Sequence, residues 1–584
     1  MTSLEAKRHT LAHLLAQAVS NRYPNAQLTL GPAIDTGFYY DIDFGTEKIG
    51  DADLPKLEAA MRKLLPSWKE FTSEEVTKDA ALEKFSSAIG VNPYKAELIE
   101  GIVGRDEKIT LYTCGKFTDL CRGGHAEHPA KEIAIDSFKL DRVAGAYWRG
   151  DEKNPMLTRI YGLAFDTKEE LDAYLTQREE AKKRDHRKIA KEQGLLVFSD
   201  LVGSGMPMFT PKGNVIRSEI IHFSRELNAE LGFGEVHTPN INKGELFKIS
   251  GHYDQYKDDM LTVHSQYVED EMFLKPMNCP QHTQIYASEP RSYRDLPVRF
   301  SDFAVLYRDE RPGELSGLTR LRAFSQDDGH IFCREDQIES EISNVLAAIQ
   351  KALAIYRISY WIRLSLRDPA KKEKYIGEDA VWEKAEAIMR KLLTEKNVSH
   401  KEALGEAAFY GPKMDIMAVD AIGREWQIST IQLDLNMPGR FQLEYAAEDG
   451  TKKTPVMIHR ALTGSPDRFM GILIEHYAGA FPLWLSPVQI KILSVSEKHV
   501  AYAKEVSDAL KAVNIRVEID DANESLGKKI RTAKTEKIPY LLVVGDKEVE
   551  EKTVSVDSRD HGKLEAMPIV DFIGRATEEI KTRK

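Results

Sequence analysis

Two stretches hold nitrogen and sulfur side chains at a spacing that could do chemistry. "RHTLAHLL" puts His9 and His13 four residues apart, and "CRGGH" puts Cys121 and His125 four apart. On a helix, residues four apart project from one face, one turn from each other. Four N/S side chains of this kind could bind zinc. Imidazoles could equally shuttle protons, because histidine titrates near neutrality, or be ordinary surface residues. A metal-dependent hydrolase built on His9 and His13 is disfavoured. The zinc-protease pattern needs Glu directly after the first His, and Thr10 stands there.

A second set lies mid-chain, in "LYRDERPGELSGLTRLRAFSQDDGHIFC", Leu306 to Cys333. The pattern predicts strand, polar Gly-rich loop, strand: a hairpin carrying Arg308, Glu310, Arg320, Arg322 and Phe324. Planar guanidinium forks clamp phosphates, and a nearby Phe could stack on a base. The bland alternative is a salt-bridged surface hairpin. Downstream, "HRALTGSPDRFMGILIEH" predicts a strand meeting Gly464-Ser465, then a helix with Arg468 in its first turns. The glycine allows close approach to a ligand, which the arginine could cover.

These residues need elements to hold them. Leu11, Leu14, Leu15 and Ala18 give a helical apolar face beside the His pair. "TLGPAIDTGFYYDIDF" predicts strand, Gly-Pro turn, strand. From about 170 to 193 the chain is mostly charged, with no Gly or Pro, and predicts one exposed connecting helix ended by Gly194. Ile216, Ile220, Phe223, Leu227 and Leu231 mark the face of a long helix, followed by "EVHTPNI" as a strand with Pro239 near its end. "DIMAVDAI", "EWQISTIQLDL" and "TPVMIHRAL" have the pattern of an antiparallel sheet. From Pro487, strands "VQIKILSV", "IRVEIDD" and "PYLLVVG" alternate with helices, a small α/β domain.

At roughly 100–200 residues per domain, the length of 584 allows several domains. An apolar fraction of 42% and a charged fraction of 30% fit a soluble globular protein. The best apolar run, "GILIEHYAGAFPLWL", is broken by Glu475 and His476, so no membrane span or signal-peptide core is expected. Four cysteines are too few for a disulfide framework, which points to a reducing cytoplasm. The net charge of −11 does not advertise a nucleic-acid binder, yet Lys182 to Lys191 and Gly527 to Lys537 are strongly basic. Such runs are commonly solvated helix faces, but they permit a local polyanion footprint.

The two mid-chain segments together resemble the second and third signature motifs of class II aminoacyl-tRNA synthetases, and the long helix and strand ending at Pro239 resemble the first. Within that class, "KPMNCPQH" (Lys275 to His282), "SGLTRLRAFSQDDGHIFC", "GPKMDI", "QISTIQLD" and "HRALTGSPDRF" resemble the threonyl-tRNA synthetase family, over nearly the whole chain. The resemblance implies an α+β multidomain protein. It comprises an α+β editing domain (1–170), a linker helix (171–195), an antiparallel-sheet class II catalytic core (196–485) and an α/β anticodon-binding domain (486–584). Many bacterial relatives begin with a small ubiquitin-like domain, which this chain is expected to lack.

The implied reaction activates threonine with ATP to threonyl-adenylate, transfers it to tRNA(Thr), and hydrolyses mischarged Ser-tRNA(Thr). The family's zinc, one per subunit, would fall on Cys279, His330 and His459. These gaps are far longer than zinc-finger spacing. Asp328 would bond the threonine hydroxyl, with Met277, Gln326, Tyr410 and Gln432 lining the pocket. Arg308 would hold the α-phosphate and the carboxylate, and Arg320 the γ-phosphate. Phe324 and Arg468 would sandwich the adenine, Glu310 would contact Mg²⁺ or ATP, Gln427 would contact ATP, and Lys413 would join Arg308 and Arg468 in the catalytic set. His9, His13, Cys121 and His125, with Lys95 and Asp119, match the editing site, where hydrolysis is expected without a metal. Asn523, Arg531 and Arg559 match anticodon-contacting positions, although Asp557 stands where an arginine is common. A cytoplasmic homodimer is expected. A non-catalytic paralogue is the competing reading; it should have lost a zinc ligand or a phosphate arginine, and this chain keeps Cys279, His330, His459, Arg308 and Arg468.

Overall fold

The structure, a computed structural model, describes residues 3–87 and 90–584. The chain forms two compact units, Met1–Glu179 and Glu180–Lys584.

In the first unit, helix Ser3–Arg22 is buried almost all round from Thr10 to Val19. It packs on a sheet ordered Gln27–Leu28, Gly37–Asp43, Met156–Ala164, Phe138–Tyr147. Leu11, Leu14, Leu15 and Ala18 join Phe38, Tyr40, Ile42 and Trp68 in one core. The expected Gly-Pro turn is displaced. The chain reverses at Asp35-Thr36, between Ala33–Ile34 and Gly37–Asp43. Gly31-Pro32 instead runs alongside the strand, because Leu30 and Pro32 carbonyls accept from Asp41 and Tyr39 amides. A three-stranded sheet, Thr72–Val76, Ile109–Cys114 and Phe117–Leu120, carries Asp119.

The single linker helix is corrected to two, Lys168–Arg184 and His186–Glu192. Asp185 breaks the run: its backbone is non-helical (φ −49°, ψ 117°) and its side chain accepts from the Arg187 amide, capping the second helix.

The second unit is built on an eight-stranded sheet. Its order is Gly234–Glu235, Val298–Asp302, Asp328–Cys333, Val456–Ala461, Glu425–Asp434, Lys413–Val419, Ser359–Leu366, His400–Leu404. All pairings are antiparallel except those of the two edge strands, which are parallel. The strand expected over "EVHTPNI" is only Gly234–Glu235; after Val236 the chain leaves the ladder and Thr238 turns to Asp302. Side chains alternate between the two sheet faces. Ile331, Ile431, Ile458, Met414 and Ile416 point into one core with helices Pro211–Glu230, Ile338–Ile355 and Pro466–His476. Their neighbours Asp328, His330, Gln432, His459 and Asp415 therefore share the opposite face.

The C-terminal region has the expected strands Val517–Asp520, Ile490–Ser494 and Tyr540–Val544, which pair in parallel, with Thr553–Ser558 added antiparallel. It belongs to the same compact unit as the large sheet, pinned to helix Pro211–Glu230 by Arg516–Glu219 (2.7 Å) and Arg583–Glu226 (2.6 Å).

Candidate functional site

The predicted hairpin is formed by Val305–Tyr307 and Ala323–Ser325. It walls a cavity of about 500 Å³ lined by Arg308, Glu310, Arg320, Phe324, Gln427 and Arg468, among others. Gly464 lets the chain turn tightly into helix Pro466–His476: its φ is +69°, and a Cβ there would lie 2.2 Å from the Ile428 carbonyl oxygen. Ser465 caps the helix by accepting from the Arg468 amide at 3.3 Å. Arg308 stands over the Phe324 ring at 5.2 Å.

The arginines differ in state. Arg320 is paired with Glu310 (2.7 Å) and Glu314 (3.0 Å). Arg308 and Arg468 make no ion pair among the described residues, and the Nε of Arg468 is buried without a partner. Burial lowers both pKa values, and Arg308 lowers that of Arg468 further. Two desolvated, mutually repelling cations in one cavity favour an anion between them.

Thr430 and Ala461, paired across strands Glu425–Asp434 and Val456–Ala461 of the large sheet, also line this cavity, and two residues along those strands Gln432 and His459 belong to a second constellation. His330 and His459 are directly paired across their strands, and Gln432 is paired with His459. Cys279 begins helix Cys279–Ala287. Cys279, His330 and His459 are all buried, and one ligand atom from each lies within 4.8 Å of the others. His459 Nε2 is held by Asp434 at 3.0 Å, and His330 Nδ1 lies 2.7 Å from His282 Nδ1. Each imidazole thus keeps its other nitrogen for the cluster. Burial, with Asp328 and Asp434, pushes the Cys279 thiol well up; burial pushes His330 well down. A buried Cys–His–His set with its outer nitrogens fixed fits a tetrahedral zinc with one open position.

Around it, Asp328 Oδ1 lies 3.7 Å from His330 Nε2, and burial raises the Asp328 pKa. Tyr410 stacks on His459 (4.5 Å between centroids) and donates its hydroxyl to Gln432. Met277 Sδ accepts from Arg308 at 3.4 Å. Gln326 lines the cavity, but Lys413 does not; it pairs with Asp415 at 2.9 Å on the sheet face.

Sequence reasoning missed several organising residues. Asp415, fully buried, accepts from Arg363, Ser365, Gln427 and Thr430 besides pairing Lys413. Asp467 joins Arg217 (2.7 Å) to the Ser325 amide (2.6 Å), tying the motif helix to the hairpin. His252 Nε2 lies 3.6 Å from Cys279 Sγ. Alternation on "KMDI" could have put Asp415 on the face of Lys413; no local pattern marks the other two.

In the first unit the two pairs do meet. His9 Nε2 is 3.1 Å from His13 Nε2 and 3.4 Å from Cys121 Sγ, which is 3.4 Å from His125 Nε2. Phe71 stacks on His125 at 3.9 Å. Asp119 is buried against Lys95, receives the Tyr40 hydroxyl at 2.6 Å, and lies 3.2 Å from His13 Nδ1. Burial alone would lower His13, but Asp119 and Cys121 raise it to about 9. Burial alone would raise Cys121, but His125, His13 and His9 lower it to about 4. The cluster thus holds a thiolate beside an imidazolium. It borders a cavity of about 460 Å³ that Lys95 and Asp119 also line.

Asn523, Arg531 and Arg559 do not form one cluster. Asn523 follows the end of strand Val517–Asp520, whereas Arg559 bonds the Lys537 carbonyl (2.9 Å) where the parallel strand Tyr540–Val544 begins. They lie at opposite ends of the sheet, with Arg531 exposed on helix Leu526–Thr535 between them.

Residues 261–477 match the tRNA synthetase class II core domain family (G, H, P, S and T), 489–579 an anticodon binding domain, and 109–161 the threonyl and alanyl tRNA synthetase second additional domain. The threonine–tRNA ligase of Rubrobacter xylanophilus is 47% identical over 580 residues, covering 99% of this chain and 89% of that protein. That of Bacteroides fragilis is 48% identical over 575 residues, covering 98% and 88%. A crystal structure of the RNA binding domain of threonyl-tRNA synthetase from Cryptosporidium parvum aligns with a TM-score of 0.65 at 37% identity, over 68% of this chain and 98% of that one. With a class II core, an anticodon binding domain, and relatives this similar along its length, the chain belongs to the threonine–tRNA ligase family of class II aminoacyl-tRNA synthetases.

Proposed function

We propose that this member of the family joins threonine to tRNA(Thr) at the sheet face of its second unit, and clears Ser-tRNA(Thr) at the His/Cys cluster of its first. The observation that carries the reading is the adjacency of the buried Cys279–His330–His459 set, two residues along the strands from Thr430 and Ala461, to the cavity they line, which holds two guanidinium groups without an ion pair among the described residues.

In this reading ATP occupies the cavity, its adenine between Phe324 and Arg468. Arg320 exchanges its carboxylate partners for the γ-phosphate, and Glu310 is freed toward the nucleotide's Mg²⁺. A threonine carboxylate oxygen bonds to the α-phosphorus as the bond to pyrophosphate breaks. Arg308 donates to both groups, so that charge is neutralised as it develops. Bound zinc would act as a Lewis acid toward the amino and hydroxyl groups of threonine. Asp328 accepts from that hydroxyl, while Gln326, Gln432, Tyr410 and Met277 shape the pocket. Lys413 and Gln427 act through Asp415, which fixes the sheet face beneath the nucleotide.

A site that satisfies a hydroxyl rejects valine, up to about 10⁴–10⁵-fold for such sites, but gains only roughly 10–200-fold against serine, which lacks one methyl. The His9–His13–Cys121–His125 cluster answers that leak. Its imidazoles orient a water and move its proton, without a metal, while Lys95 and Asp119 hold His13 in place. Asn523, Arg531 and Arg559 contact tRNA over a spread surface. We further read the protein as a cytoplasmic homodimer; no helix among the described residues is long and apolar enough to cross a membrane.

The test is aminoacylation of tRNA(Thr) by the purified protein with ATP. Charging with threonine, and hydrolysis of added Ser-tRNA(Thr), are expected. Charging with serine or proline in preference to threonine would overturn the assignment.

A further inference from the structure

One part of the basic run Lys182 to Lys191 is buried. His186, the first residue of helix His186–Glu192, is 4% exposed. Its Nδ1 lies 2.6 Å from Glu475 Oε1, and its Nε2 lies 2.9 Å from the Leu318 amide nitrogen. A backbone N–H can only donate, so Nε2 is the acceptor. The ring proton is then on Nδ1, donated to Glu475. The second Glu475 oxygen meets Arg424, which also pairs with Asp420 at 2.7 Å. Beside it, Arg184 donates to the His476 carbonyl at 3.0 Å, at the end of helix Pro466–His476.

Leu318 belongs to the loop of the hairpin and lines the cavity, two residues before Arg320. From Arg311 to Glu314 that loop is exposed. Around the Leu318 amide it fits closely: a Cβ on Gly317 (φ +49°) would lie 2.1 Å from His186 Nε2, and one on Gly471 would lie 3.0 Å from Leu318 Cβ. The ring therefore clasps the loop against the helix that carries Arg468.

We propose that His186 is a positioning residue for the nucleotide site: through Nε2 it fixes the Leu318 amide, and so sets where Arg320 stands at the cavity mouth. The inference rests on the reading of the cavity as an ATP site. An asparagine at 186 can keep the donor to Glu475 but loses the acceptor for Leu318; a glutamine places its carbonyl near the lost Nε2.

The test compares wild type, H186N, H186Q and R320A in the full-length protein. Hydrogen exchange of the loop peptide around Leu318 is read by mass spectrometry, and KM for ATP and for threonine by ATP–pyrophosphate exchange. H186N is expected to speed exchange at the loop, and to raise KM for ATP, each by about tenfold, with KM for threonine changed less than about twofold. H186Q should recover most of both. Should H186N fail to fold, G317A, whose Cβ presses on the ring, should loosen the same loop. Unchanged loop exchange in these variants overturns the clasp. Faster exchange with an unchanged KM for ATP, alongside a raised KM in R320A, overturns its role at the nucleotide. An unchanged KM in R320A overturns the ATP reading itself.

Discussion

His330 and His459 stand directly opposite each other on neighbouring antiparallel strands, their ring centroids 4.8 Å apart. Register across the sheet, not sequence proximity, makes them a pair. A third group orients His459: Asp434 holds its Nε2, and the other Asp434 oxygen accepts from the Asn436 and Met437 amides.

Asp434→Asn should therefore leave the ligands in place but loosen one of them. Zinc affinity is expected to fall about 10–100-fold, as for other partners that orient metal ligands. Competition with a chelator measures this; an unchanged affinity would deny Asp434 that role.

Arg308 makes no ion pair among the described residues; it lines the cavity and donates to Met277 Sδ beside the sheet-face pocket. Arg308→Ala should lower kcat/KM for threonine-dependent ATP–pyrophosphate exchange by about 10²–10³-fold, the usual loss for one transition-state donor. Circular dichroism should stay that of the wild type. A loss under tenfold would argue for a merely structural arginine.

His9→Ala and Cys121→Ala should leave threonine charging intact and let Ser-tRNA(Thr) accumulate in assays supplied with serine. Clearance of Ser-tRNA(Thr) at the wild-type rate in both variants would remove the cluster from editing.

The same cluster predicts a pH window. The Cys121 value is depressed from 9.0 to about 4, so its contribution to stability is complete above 9.0 and is lost as pH falls through about 4. The His13 value is raised from 6.5 to about 9, so its contribution is complete below 6.5 and is lost as pH rises through about 9. Thiolate and imidazolium coexist between those limits. Ultraviolet thiolate absorbance, with Cys121→Ala as the blank, should titrate near pH 4; a midpoint near 9 would contradict the geometry.

Arg460 is fully buried, held by Asp327 at 2.7 Å and Asn228 at 2.6 Å. Asp327→Ala strands that charge, and should cost about 3–5 kcal/mol. Thermal or denaturant unfolding would show it as a large loss of stability.

Local rules carried the sequence a long way. The face Ile216–Ile220–Phe223–Leu227 gave its helix, and the turn residues around Gly464 gave the strand-to-helix junction that presents Arg468. They failed where a single side chain overrides composition. Asp185 breaks a stretch that is otherwise uniformly helix-forming, and Pro32 carries a backbone acceptor for Tyr39 where a turn was expected. Site residues were legible to the extent that a long motif carried them. Of the Asp415 partners, alternation could offer only Lys413. Asp467 and His186 were not legible, because each acts through partners that packing brings from far along the chain. The same is physically true of Cys279, His330 and His459: without the motif resemblance, each would have read as an ordinary buried thiol or imidazole.

The proposed activation of threonine turns on those three residues. Its most direct test is zinc content together with threonine-dependent ATP–pyrophosphate exchange in Cys279→Ala, with folding checked by circular dichroism. The expected result is a folded protein that has lost the metal and the threonine-dependent exchange together. A folded variant that keeps stoichiometric zinc and exchanges with threonine at the wild-type rate would contradict it.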